Sequence, residues 1–380
     1  MDDIAVYVIV MVVGAVVTLV ANRPARLISI RVGYTAQPDP RKVHEKVTPY
    51  GGGAAMFVGF CVALIVAFMI PTLRDVITSS NEMMGVLIAT GVIFAVGVLD
   101  DFREMSAPAK VAGQVLAATI LYFSGATMYQ LKLPFAGFVV LGPSILPLIT
   151  AGWVFAISNA VNLIDGLDGL AGGIVAIASG TLCVYGLRLE DLGLLPVTNV
   201  GPLIAALTCG ICLGFLRDNF HPAKLFMGDA GALMLGLLMS ASTMVIGGRT
   251  PPASGVTFFF FAPLLIPVFI LAVPLIDAAW AFLRRTLSGQ GFHTPDKNHI
   301  HHRLMRLGHG HRRTVVILWL WTAVLCGFVL LPLFDPNTNV FIPLGVALML
   351  IALFTWFSPW VRRSNRRAMA DERVEEVANQ

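Results

Sequence analysis

The chain has 380 residues, of which 57% are hydrophobic and only 13% charged, with a net charge of +4. Soluble domains average ~45–50% apolar and ~25% charged residues, so a soluble globule is excluded, because too few polar side chains exist to cover its surface. Apolar stretches repeatedly reach the ~18–20 residues that cross a bilayer as helix, and the expected fold class is an all-α polytopic integral membrane protein.

Taken in chain order, hydropathy predicts about 11 transmembrane helices. They fall near residues 4–21, 51–70, 83–99, 110–124, 144–160, 169–187, 200–216, 229–247, 257–283, 314–333 and 338–358. Asp2 and Asp3 precede the first span and Arg23 and Arg26 follow it. A secretory signal has the reverse order, so this span reads as retained with its N-terminus external. Residues 1–358 read as a single transmembrane catalytic domain and 359–380 as a basic, then acidic, cytoplasmic tail. The five cysteines, Cys61, Cys183, Cys209, Cys212 and Cys326, lie in apolar stretches. The Cys209/Cys212 pair lacks a second ligand pair for zinc, so all five read as lipid-facing or core-packing residues.

Alternate loops lie on opposite sides of the membrane, and charge sorts them. Of the 26 Lys and Arg, only Arg74, Lys132, Arg188 and Arg249 fall on one side. The rich side, comprising 22–50, 100–110, 217–224, 284–313 and the tail, is cytoplasmic by the positive-inside rule. All eight histidines fall there too. The chemistry is therefore expected in the cytoplasmic loops, and the outer connections 71–82, 125–143 and 188–199 read as structural.

Four of those loops carry motifs. Val98-Leu99-Asp100-Asp101-Phe102 puts adjacent carboxylates at a span end, where an ionised group facing lipid would cost ~2.5–3.5 kcal/mol. A solvated helix end is the plain alternative, with Lys110 merely snorkelling. Asn159-Ala-Val-Asn162-Leu-Ile-Asp165-Gly166-Leu-Asp168-Gly169 places polar groups every third residue, a slowly winding ridge on a helix. Its glycines imply a break, and a helix restarting near Gly169 would turn free backbone amides toward an anion. A capped turn explains one aspartate but not the whole series.

The third stretch runs from Arg217 to Gly231 and contains Asn219, His221 and Phe226-Met227-Gly228-Asp229. Small residues around Asp229 permit close approach, and Asp229, Asp100, Asp101, Asp165 and Asp168 offer the oxygen ligands that a hard cation such as Mg²⁺ takes. Alternatively Asp229 caps the next helix. The fourth, Asp296-Lys297-Asn298-His299-Ile300-His301-His302-Arg303, sits among further arginines. It suits phosphate oxygens better than zinc, since no helical His-Glu-x-x-His accompanies it, and a basic loop on anionic lipid is the alternative. Metal-binding carboxylates and phosphate-binding cations beside a bilayer fit phosphoryl transfer to or from a lipid.

The chain resembles the polyprenyl-phosphate N-acetylhexosamine-1-phosphate transferases over almost its whole length. The resemblance is carried by Asp39-Pro40-Arg41-Lys42-Val43-His44 with Pro49-Tyr50-Gly51-Gly52, by Asp100-Asp101 with Lys110, by Asn159 to Gly169, by Phe226 to Asp229 and by His299 to Arg303. It implies transfer of a sugar 1-phosphate from a UDP-sugar to polyprenyl phosphate, releasing UMP, with Mg²⁺ or Mn²⁺. By position it implies that Asp229 is the metal ligand, with Asn162 and Asp101 beside it. Asp100 would deprotonate or orient the lipid phosphate. Asp101, Asp165, Asp168, His299, His301 and His302 would be catalytic, and Lys42, His44, Lys110, Asn159, Asn162, Asn219 and Arg303 would bind substrate. Ala232 departs from the Ser common in the family. His-Ile-His-His-Arg resembles the N-acetylglucosamine branch, so the expected partners are UDP-GlcNAc, polyprenyl phosphate and the bilayer of a bacterial plasma membrane, with no nucleic acid. A muramoyl-pentapeptide donor of the same family, or an anionic-solute transporter, is the competing reading, and the sequence leaves open whether the protein forms a homodimer.

Overall fold

The computed structural model describes residues 2–36, 47–103, 105–133, 137–249, 310–334 and 341–357. The chain divides into two units, Met1–Leu271 and Ala272–Gln380. In the first, α1 (Asp2–Arg31), α2 (Gly52–Met69), the short α3 (Pro71–Thr78), α4 (Glu82–Arg103), α5 (Ala107–Ser124), α6 (Leu146–Ile164), α7 (Leu170–Asp191), α8 (Gly201–Asn219) and α9 (Gly228–Gly247) follow in order. The described part of the second unit holds α10 (His311–Phe334) and α11 (Phe341–Phe357). Proline in the first turn opens α3, α5, α6 and α8, where its missing N–H costs nothing and its fixed φ suits a helix.

Among the described residues, eight helices are long and apolar enough to cross a membrane: α1, α2, α4, α6, α7, α8, α9 and most of α10. The protein is a multi-pass, all-α membrane protein. Three of the expected eleven are not among these eight. Lys110 and Gln114 make α5 too polar, α11 is only 17 residues long, and 257–283 lies outside the described residues.

The first span does not stop at residue 21. It continues through Pro24 to Arg31, turning the first third of the supposed loop into helix. Asn22, itself buried, donates to the Gly214 carbonyl at 3.1 Å and to Asp218 Oδ2 at 3.0 Å, and Ser29 is also buried. These polar contacts to α8 hold a segment that hydropathy reads as surface.

Helix α9 is the centre of the first unit, with every residue from Ala230 to Ile246 buried. Lipid tails are as apolar as leucine, so helices in a bilayer gain little from hydrophobicity and depend on close packing of small residues. At Gly53 a Cβ would collide with the backbone of Gly231, at Gly97 with that of Ala230, and at Gly236 with that of Ser158. These three contacts set α2, α4 and α6 directly against α9.

Two small antiparallel hairpins join the helices. β1 (Thr35–Ala36) pairs with β2 (Thr48–Pro49), Thr35 opposite Pro49, and Tyr50 continues into a parallel bridge with Phe226. β3 (Gln130–Leu133) pairs with β4 (Gly137–Val140) in the connection between α5 and α6. Near that hairpin Arg249 meets Glu82 at 2.5 Å and donates to the Gly125 carbonyl at 2.6 Å, clasping the ends of α4, α5 and α9. These contacts give this end of the first unit a structural role. None of the cysteines forms a disulfide, and all but the half-buried Cys61 are buried.

Candidate active site

At the opposite end of the first unit converge the C-termini of α4, α6 and α8 and the N-termini of α5, α7 and α9. Lys110, in the first turn of α5, lies 2.8 Å from Asp100 Oδ2 and also pairs with Asp229 Oδ2. Asp100 Oδ1 accepts the Met105 N–H at 2.7 Å, and Asn162 donates its amide to Asp229 Oδ1 at 2.7 Å. One ammonium thus joins two carboxylates from helices more than a hundred residues apart. Lys110 does not snorkel.

Asp101 has a different surrounding. Its Oδ1 accepts the Asp229 N–H at 2.9 Å, and its Oδ2 accepts the Ala230 N–H at 3.2 Å and the Tyr34 O–H at 2.6 Å. Asp229 therefore does not cap its own helix. Its carboxylate faces Lys110 and Asn162 while its backbone is capped from α4.

The polar ridge splits as the chain does. Asn159 and Asn162 lie on the last two turns of α6, the helix ends at Ile164, and α7 restarts after Gly169, whose φ of 80° is left-handed. That break occurs where the glycines place it. The Gly169 amide is not free for an anion, however, because Asn219 Oδ1 accepts it at 2.9 Å. Asn219 is 2% exposed and its Nδ2 donates to the Leu225 carbonyl at 3.0 Å, so both ends of its amide are used inside the protein. Asn159 donates to Gln114 Oε1 at 3.1 Å and to the Phe155 carbonyl at 2.7 Å, tying α6 to α5. Asp168 accepts the Ala223 N–H at 3.0 Å and has His221 Nδ1 at 2.8 Å.

Asp165 is the exception in this network. Among the described residues no hydrogen bond reaches its carboxylate. Burial, reinforced by the charges of Asp229, Asp101 and Asp168, holds it well above the usual carboxylate range. Among the described residues Asp100 and Asp229 thus share Lys110, Asp101 and Asp165 stand within the field of Asp229, and all of them, with the Asn162 amide oxygen, offer oxygen donors. That set fits a hard divalent cation such as Mg²⁺ or Mn²⁺, for which an uncompensated carboxylate is a ready ligand.

Tyr34 had no signal in the sequence, lying between the first helix and the motif of the first loop. Its ring stacks on Phe102 at 4.3 Å between centroids and tilts against Tyr50 at 5.3 Å. Burial, followed by the Asp101 charge, raises its phenol far above the ordinary value, so it acts as a donor. The Tyr50-Gly51-Gly52 motif also gains a physical reason, since a Cβ on Gly52 would strike Phe215 and the Phe226 carbonyl. Of the remaining expected site residues, Lys42, His44, His299, His301, His302 and Arg303 lie outside the described residues.

Comparison with known proteins adds to this geometry. Residues 83–247 match the glycosyl transferase family 4 model. The chain is 37% identical over 357 residues to the decaprenyl-phosphate N-acetylglucosaminephosphotransferase of Mycolicibacterium smegmatis, covering 92% of this chain and 87% of that protein. It is 36% identical to the probable undecaprenyl-phosphate N-acetylglucosaminyl 1-phosphate transferase of Bacillus subtilis, covering 82% and 81%. With the undecaprenyl-phosphate alpha-N-acetylglucosaminyl 1-phosphate transferase of Escherichia coli K12 it shares 28% identity, over 92% and 89%.

Proposed function

Since this chain belongs to glycosyl transferase family 4, we propose that it transfers N-acetylglucosamine 1-phosphate from UDP-GlcNAc to a polyprenyl phosphate. The products are polyprenyl-diphospho-GlcNAc and UMP. The observation that carries this reading is the Lys110 bridge between Asp100 and Asp229, beside an Asp165 carboxylate with no hydrogen bond among the described residues, at one end of a membrane bundle. A transporter would place such groups near the bilayer midplane.

Asp229, Asp165 and Asn162 would hold Mg²⁺ or Mn²⁺. The bound ion supplies charge neutralisation between two anionic substrates. Lys110 is the described cation nearest the carboxylates and orients a phosphate. Asp100 holds Lys110 in place, since both of its oxygens are occupied. A phosphate monoester has its second pKa near 6, so most of the lipid acceptor is already dianionic at pH 7 and needs no strong base. We therefore favour direct attack of a lipid phosphate oxygen on the β-phosphorus, with the bond to the bridging oxygen breaking and UMP leaving. Asn219 and Asn159 brace the loops around the site. His299, His301 and His302 keep the catalytic roles, and Lys42, His44 and Arg303 the substrate-binding roles, that the resemblance implies, within one catalytic domain over 1–358.

The 22 to 4 division of basic residues supports a bacterial plasma membrane protein with its N-terminus outside and the tail and active site in the cytoplasm. Sealed membrane vesicles test donor and orientation together, because nucleotide sugars do not cross a bilayer. Inverted vesicles should convert UDP-GlcNAc in preference to the UDP-muramoyl-pentapeptide, and right-side-out vesicles should convert neither. Preference for the pentapeptide would move the chain to the other branch, and turnover by right-side-out vesicles alone would invert the topology.

A further inference from the structure

We propose that Asp101 is a positioning residue rather than a metal ligand: with Tyr34 it caps the start of α9 from a neighbouring helix and so fixes the direction of the Asp229 carboxylate. The proposal rests on the transferase reading above.

The first amide groups of a helix have no partner within it, and at a buried end they must find one elsewhere. Met227, the residue at the cap position of α9, provides no side-chain hydrogen bond. Asp101 provides two, to Asp229 and Ala230, from 128 and 129 residues away. The backbone is shaped to receive it. Gly228 adopts a left-handed φ of 66°, and the space its Cβ would need is filled by the Asp101 carboxylate. One turn earlier on α4, Gly97 lies so close to Ala230 that no side chain fits between them. α4 is therefore seated where its carboxylate reaches the α9 amides.

Lone-pair capacity separates the aspartates. A carboxylate has about four acceptor sites. Asp101 uses three of them within the protein, on Asp229, Ala230 and Tyr34. Asp229 uses two, on Lys110 and Asn162, and Asp165 uses none among the described residues. Asp100 and Asp168 also use two each, so Asp101 is the most committed of the five and keeps the least capacity for a cation.

Tyr34 closes the arrangement into a ring. Its N–H bonds the Ser29 carbonyl at 2.8 Å, its carbonyl accepts the Tyr50 N–H at 3.0 Å, and the Phe226 N–H bonds the neighbouring Pro49 carbonyl at 3.0 Å. Phe226 stands two residues before Gly228, so the ring returns to the helix start that Asp101 caps. The base of the first cytoplasmic connection is thereby linked to the placement of Asp229.

Asparagine caps a helix about as well as aspartate but lacks the charge a metal ligand supplies. In Asp101→Asn, Oδ1 can keep the Asp229 amide and Nδ2 can donate to the Tyr34 oxygen, losing only the longer bond to Ala230. The full-length protein in detergent should be compared as wild type, Asp101→Asn, Asp101→Ala, Tyr34→Phe and Asp229→Asn. The readouts are Mn²⁺ binding by electron paramagnetic resonance, amide exchange in a peptide spanning 226–234, and turnover.

Asp101→Asn should bind Mn²⁺ within about 3-fold of wild type and keep turnover within about 10-fold, as a preserved cap requires. Asp101→Ala should lose ~10–100-fold in both, the usual effect of removing a group that orients a ligand, with faster exchange at 229–230. Tyr34→Phe should raise the same exchange to a smaller degree. Mn²⁺ binding weakened as much in Asp101→Asn as in Asp229→Asn would overturn the proposal, as would wild-type exchange in Tyr34→Phe and Asp101→Ala alike. Should Asp101→Ala not fold, Asp101→Asn and Tyr34→Phe still decide it. A wild-type protein inactive on UDP-GlcNAc would refute the transferase reading alone, because metal binding and exchange are read without substrate.

Discussion

Asp229→Asn is expected to lower GlcNAc 1-phosphate transfer by about 10³-fold, equivalent to ~4 kcal/mol of transition-state stabilisation, while the protein still inserts and folds. The fold should survive because the Asp229 carboxylate caps nothing. The cap on its helix comes from Asp101 to the Asp229 and Ala230 amides, and an asparagine side chain can still accept from Asn162. Function should not survive, because a charged oxygen is removed from the carboxylate set that suits a hard cation. A Mg²⁺ titration of the purified variant should show the half-saturating concentration moving up. Wild-type turnover at low Mg²⁺ would return Asp229 to a structural role.

Lys110→Met should be nearly as damaging, by about 10²-fold or more, but with the opposite response to metal. Lys110 neutralises Asp100 and Asp229 at once, and its removal leaves two carboxylates facing each other. The side chains are 19% exposed for Lys110 and 29% for Asp229, so water softens that repulsion and the stability loss should be modest, about 1–2 kcal/mol. A cation taken away from a metal site favours the metal. Half-saturating Mg²⁺ should therefore stay or fall while turnover drops, the reverse of Asp229→Asn. An upward shift in Lys110→Met would mean that the lysine acts only by holding Asp229 in place.

Hydropathy and motif spacing made much of this legible. The helix break after Ile164, the restart after Gly169 and the helix start at Gly228 fall where glycine and aspartate in the sequence place them. The gathering of Asp100, Lys110, Asn162 and Asp229 follows from carboxylates and a lysine at the ends of apolar spans, where burial demands partners. What could not be read was the partner itself. Nothing in the string indicates that Asp101 serves backbone amides on a helix 128 residues later, or that Tyr34 completes its shell. Asn219 reads as a ligand contact, and what the sequence does not indicate is that both ends of its amide bond within the protein, to Gly169 and Leu225. The first helix reads ten residues too short because arginines mark a loop for hydropathy, whereas Asn22 and Ser29 are buried along its continuation.

The central claim is that a phosphorus–oxygen bond breaks, so that the sugar leaves with its phosphate. It is tested most directly with UDP-GlcNAc carrying radioactive phosphorus at the β position, incubated with the purified protein, Mg²⁺ and polyprenyl phosphate. The account predicts that the label enters the organic-solvent phase together with GlcNAc, that unlabelled UMP is released in equal amount, and that no UMP forms without the lipid. Label remaining in water as UDP while GlcNAc alone reaches the lipid, or UMP released in the absence of acceptor, would contradict it.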